Sequence, residues 1–135
     1  MINLEQIRAQ RAFAQAETAA RFEDKDREEY LSQAKNLPAM FQNNGLLATW
    51  AFFLSKDKKP HRTLLAALLE HFQKRFRDPQ LEFTVVERLE PKEALISYWT
   101  HPVKKLNGLQ LMQLTAEAVA FSGWLKRAAE ALCEK

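Results

Sequence analysis

The sequence predicts an all-α fold: a single-domain bundle of about six helices with a long C-terminal helix. Three observations point there. Glycine is scarce, 3 in 135 residues with 5 prolines, so a turn-rich β architecture has little to work with. Apolar residues make up 47% and charged residues 27%, the balance of a globular chain rather than a disordered one. From Leu111 to Leu132 the apolar positions follow a 3,4,3,4,3,4 spacing, the repeat of one continuous helical seam. A chain of this length fits one domain, residues 1–135, and buries about two-thirds of its unfolded surface without staples.

Residues 2–22 contain Leu4, Ile7, Ala14 and Phe22 in an Ala-, Gln- and Arg-rich background free of Gly and Pro, which predicts a first helix. A charged knot follows, Glu23 to Asp26. Asp26 and Glu29 have capping-box spacing. The second helix carries Tyr30, Leu31 and Ala34 and is expected to stop before Pro38. Pro38 then opens a short turn that exits through Asn44-Gly45, where both residues tolerate positive φ. Asn43 or Asn44 is a candidate cap for a deeply buried helix over 46–54, with Leu46, Leu47, Trp50, Phe53 and Leu54. A solvated loop over 55–60 leads to a helix over about 60–77, with Leu65, Leu68, Leu69, Phe72 and Phe76 on one face. Residues 81–86 read as an extended connector, and a short helix follows Pro91. The last helix runs from about Val103 to Leu132. Its seam is Leu111, Leu114, Ala118, Phe121, Leu125, Ala128 and Leu132, with Leu109, Met112, Ala116, Val119 and Gly123 as a second stripe.

Catalytic patterns are missing. The histidines, His61, His71 and His101, form no HExxH, no cysteine pair has zinc spacing, and no metal or cofactor is expected. Gly45, Gly108 and Gly123 make neither a phosphate loop nor a dinucleotide fingerprint. The carboxylates at Glu23 to Glu29 suit a helix start better than acid–base work. The lone Cys133 reads as unreactive and as the mark of a reducing, cytoplasmic compartment. Glu5 and Arg8 argue against a signal peptide in residues 1–10, and no run is long enough to span a bilayer. An enzyme is therefore not expected.

Charge distribution says more than the net +3. Residues 56–77 carry seven basic and two acidic side chains. Lys56, Lys58, Lys59 and Arg62 lie at one end of a helix, with Lys74, Arg75 and Arg77 at the other. Lys104 and Lys105 open the long helix. Such residues contact phosphates without reading sequence; the competing reading is a solvated helix surface. Trp124 falls on the polar face with Gln113 and Glu117, which marks those three as candidates for a protein interface. Packing beneath a neighbouring segment is the competing reading for Trp124.

The stretch Leu37-Pro-Ala-Met-Phe-Gln-Asn-Asn-Gly-Leu46, continuing through Trp50-Ala-Phe-Phe-Leu-Ser-Lys56, resembles the small subunit of the type III-B CRISPR effector, the Cmr RNA-targeting complex. Gly123-Trp-Leu-Lys-Arg-Ala-Ala-Glu-Ala131, Arg8-Ala-Gln-Arg-Ala12 and the helix order agree with it. The resemblance implies a small, all-helical, non-catalytic protein whose copies stack as a minor filament. That filament lies against the backbone subunits and helps form the channel for guide RNA and target RNA. The implied partners are other Cmr subunits, further copies of the chain and both RNAs, with no membrane. Within the resemblance Pro38, Asn43, Asn44 and Gly45 shape a break between two helices, while Trp124, Lys126 and Arg127 match the terminal-helix pattern and face partners or RNA. The alternatives are the small subunit of a type III-A complex, or a helical protein–protein adaptor without nucleic-acid contact.

Overall fold

The computed structural model describes residues 3–75 and 108–134. Among these residues it is all-α, with five helices: α1 (Leu4–Ala20), α2 (Asp24–Asn44), α3 (Leu46–Lys56), α4 (Lys59–Arg75) and α5 (Gly108–Leu132). The expected connector over 81–86, the helix after Pro91, and His101 and Phe76 lie outside the described residues.

A capping box that the sequence reading missed starts α1. Gln6 N–H donates to Asn3 Oδ1 at 2.8 Å, and Asn3 N–H donates to Gln6 Oε1 at 3.0 Å. The buried face of α1 is Ala12, Ala16 and Ala19. Small side chains on that face let α1 lie close along α5, and α5 packs most extensively on α1 and α2.

The second helix differs from expectation at both ends. It begins at Asp24 behind Glu23, without a side-chain cap, so the Asp26–Glu29 box does not form. It also continues through Pro38 to Asn44 as one helix. Proline leaves the Ala34 carbonyl without its usual helical donor, a cost of about 3 kcal/mol. The offsetting term is packing: Tyr30, Ala34, Leu37 and Phe41 are all buried at 4,3,4 spacing. A break at Pro38 would swing Phe41 out of that stripe.

Gly45 takes φ +84° and separates α2 from α3, as its position in the sequence predicts. It is itself the N-cap of α3, which has no side-chain cap, so neither Asn43 nor Asn44 plays that part. Thr49 instead ties the junction, its hydroxyl donating to the Met40 carbonyl at 3.1 Å. Helix α3 is half-buried rather than deeply buried: Leu46, Trp50 and Phe53 face the core, but Leu47 and Phe52 are exposed. The helix buried over the wider arc is α4, through His61, Leu64, Leu65, Ala67, Leu68, Leu69, His71 and Phe72. Between its two exposed ends, Lys59 and Arg75, the exposed positions Ala66, Glu70 and Lys74 form a narrow i, i+4 strip. On α5 the seam holds from Leu114 to Ala128. Leu132 is exposed, and Cys133 takes the last buried position. The second stripe is exposed at Leu109 and Met112.

Because α2 is continuous, Pro38→Ala restores a helical hydrogen bond without touching the buried stripe. It is expected to raise stability by about 1–3 kcal/mol in urea denaturation. A loss of stability would show that Pro38 supports the fold through its own packing.

Candidate nucleic-acid interface

The turn between α3 and α4 gathers Lys56, Lys58, Lys59 and Arg62. Asp57 closes α3 in a left-handed conformation (φ 50°, ψ 35°), its N–H donating to the Phe53 carbonyl at 3.3 Å. Arg62 Nη1 then donates to the Asp57 carbonyl at 2.6 Å and pairs with the Asp57 carboxylate at 3.1 Å. These bonds fix the turn. Lys56, Lys58 and Lys59 are exposed around it. Lys56 Nζ lies 5.1 Å from the Phe52 ring centre, and Lys59 Nζ lies 4.2 Å from that of Phe22, so each ammonium group sits over an aromatic ring.

Two other basic candidates of α4 do not join this group. Lys74 and Arg75 sit at the far end of α4, about 24 Å along its axis. There Lys74 pairs with Glu70 at 2.7 Å, and Arg75 reaches Glu117 at 3.6 Å. Arg77, Lys104 and Lys105 lie outside the described residues. On α5, Lys126 is half-buried, while Arg127 is exposed and stacks over Trp124 at 5.2 Å. Trp124 packs partly buried against the core. Gln113 is exposed. Of the structural motif, Asn43 and Asn44 form the exposed last turn of α2, Pro38 is half-buried inside that helix, and Gly45 makes the break.

Glu117 is corrected from an interface candidate to an internal anchor, since it is only 5% exposed. Arg8 of α1 grips it bidentately, Nε at 2.7 Å and Nη2 at 2.8 Å. His71 Nε2–H of α4 donates to it at 2.9 Å, while His71 Nδ1 accepts from Arg11 at 3.1 Å. The two bonds fix the neutral tautomer, and the ring stacks on Phe121 at 4.0 Å between centres. Burial pushes the Glu117 carboxyl up, but the hydrogen bonds from Arg8 and His71 and the charge of Arg8 outweigh it and hold it at about 2. Burial drives His71 below its ordinary 6.5, against the pull of Glu117. The sequence held a signal for this anchor: Glu117 is the one charged residue from Gly108 to Leu125, with Leu114 and Phe121 on its own face.

Among the described residues no three metal-ligating side chains gather, and no helix is long and apolar enough to cross a membrane. The fold and this surface define a small helical-bundle protein that presents a fixed basic turn. Residues 4–132 match the family model described as CRISPR-associated protein (Cas_Cmr5). The CRISPR system Cmr subunit Cmr5 of Thermus thermophilus is 32% identical over 133 residues, covering 96% of each chain. The crystal structure of a CRISPR-associated Cmr5 family protein, also from Thermus thermophilus, superposes with a TM-score of 0.72 at 28% identity, covering 99% of this chain and all of that one. The chain belongs to the Cmr5 family, the small subunits of the type III-B Cmr complex. The family match decides for type III-B over type III-A.

Both titrations put stability loss on the acid side. Glu117, depressed from 4.5 to about 2, contributes stability above 4.5 that disappears as pH falls toward 2. His71, depressed below 6.5, favours the folded state until acid protonates the unfolded chain. Glu117→Gln is expected to cost about 3 kcal/mol at pH 7, with the gap from the wild type closing across the carboxylate window. A gap unchanged at pH 3 would mean that Glu117 acts through shape and not charge.

Proposed function

We propose that this chain is a non-catalytic Cmr subunit whose copies stack as a minor filament and line the channel for the guide–target RNA duplex. The observation that carries the reading is the basic turn of Lys56, Lys58, Lys59 and Arg62, held in one shape by Asp57. A pre-set cluster loses little conformational freedom on meeting phosphates. A net charge of +3 suits a few phosphate contacts per copy. Repetition along a filament then supplies affinity that one copy lacks. The exposed Leu109 and Met112, at 65% and 69%, supply an apolar edge for the neighbouring copy. The remaining basic candidates, Lys74, Arg75, Lys126 and Arg127, are secondary RNA contacts in this reading, while Trp124 and Gln113 face partner subunits. The compartment is the cytoplasm.

Reversing Lys56, Lys58 and Lys59 to Glu is expected to weaken target-RNA binding by the reconstituted complex at least 10-fold. Its log–log salt slope should fall by about 2 to 3. Normal assembly with unchanged RNA affinity would reduce the role to that of an adaptor. Separately, Leu109→Asp with Met112→Asp is expected to lower the number of copies per complex in native mass spectrometry; unchanged stoichiometry would remove those residues from the stacking surface.

A further inference from the structure

A groove runs between α2 and the α3–α4 turn, a side of the bundle away from the Glu117 anchor. Its volume is about 390 Å³, within the range of clefts that hold small organic groups. The walls combine three chemistries. Met40 and Phe52 supply apolar faces, and Phe52 is 44% exposed although it is a large aromatic. Gln33 and Asn36 supply amides, and Glu29 accepts from Gln33 Nε2 at 3.3 Å. Lys56 and Lys58 supply positive charge at one end. Past Met40 and Phe52 the groove continues into a second hollow lined by Asn43 and Asn44.

The histidine in this groove is the telling residue. His61 is 2% exposed, and its Nδ1 is buried without a hydrogen-bond partner. An unsatisfied buried nitrogen costs about 1–3 kcal/mol, and the neighbouring ring is Phe53, 5.0 Å away edge-on, which offers no hydrogen bond. Burial lowers the His61 pKa, with Lys58 and Lys56 adding to the effect against Glu29. The ring is therefore a neutral group that both donates and accepts, on the wall of a cleft.

We infer that this groove receives an unstacked nucleobase of single-stranded RNA, its edge meeting the amides and His61, its face against Phe52 and Met40, and its phosphate beside Lys56 and Lys58. Stacking on an exposed aromatic, amide contacts to base edges and flanking cations are the three elements by which unpaired nucleotides are held. Glu29 can accept from an exocyclic amine, which favours adenine, cytosine or guanine over uracil. The two Lys side chains select an anionic backbone. The inference rests on the RNA-binding reading and adds to it a base-sized site beside the phosphate contacts. Met40, Phe52 and Lys56 of the groove, and Asn43 and Asn44 of the adjoining hollow, all belong to the 37–56 stretch that carries the family motif. That stretch thereby gains a role besides shaping the helix break.

The test uses the full chain, labelled at methionine methyls and histidine rings and at the lysine side chains, observed by NMR with hexaadenylate and with an abasic ribose–phosphate strand of equal length. NMR reads weak binding, so the feeble affinity of one copy is no obstacle. Hexaadenylate should shift the Met40 methyl and His61 ring signals, and the abasic strand should shift only lysine signals. Phe52→Ala, at an exposed position that leaves the core intact, should weaken hexaadenylate about 5- to 100-fold and leave the abasic strand unaffected. Equal responses to both strands, or still Met40 and His61 signals beside moving lysines, overturn the groove while leaving the RNA reading standing. Silence at every signal overturns the groove as well, and the charge-reversed complex then decides the RNA reading on its own.

Discussion

A single carboxylate in the middle of the longest helix sets the arrangement of the bundle. Glu117 of α5 is buried, and an unpaired charge there would cost several kcal/mol. Arg8 of α1 and His71 of α4 pair it, at 2.7 Å and 2.9 Å, and Arg75 of α4 stands at 3.6 Å. Apolar packing alone tolerates sliding, because one methylene resembles another. Two hydrogen-bonded arms of fixed geometry do not. They set the register of α1 and α4 along α5, and the stacked rings of His71 and Phe121 hold the same level.

That register carries functional consequences at the other end of α4. The helix is held at its C-terminal half by His71 and Arg75, and its N-terminal half begins in the basic turn. A helix behaves as a rod over 17 residues. Anchoring one end therefore aims the other, and Lys58, Lys59 and Arg62 inherit a defined position relative to α2. His61, one position from Arg62, is buried by the same placement and forms part of the groove wall. Stability and surface chemistry are thus joined through one helix, with the charged anchor and the proposed RNA-facing turn at its two ends.

Much of this was legible in the sequence. The α class, the single seam of α5, the break at Gly45 and the helix beginning near Pro60 follow from local rules of period and backbone preference. The family resemblance rested on residues 37–56, where the helix break and the exposed Phe52 lie. Local rules failed where distant packing outweighed them. Pro38 looks like a stop in the sequence, which does not show that Tyr30, Ala34, Leu37 and Phe41 share one buried stripe. Glu117 looks like a surface residue in the sequence because its partners stand 109 and 46 residues away. Leu47 is exposed although its helix is apolar, because apolar content does not reveal which side of a short helix meets the core. The groove was illegible for the same reason: its residues come from three helices and gain meaning only side by side.

The most direct test of the central claim is photocrosslinking of the assembled Cmr complex on a target RNA carrying 4-thiouridine, with the crosslinked peptides read by mass spectrometry. The account predicts crosslinks on this chain concentrated in residues 56–62, repeated for successive copies along the RNA. Crosslinks confined to other subunits, with this chain present in the complex but untouched, would contradict it.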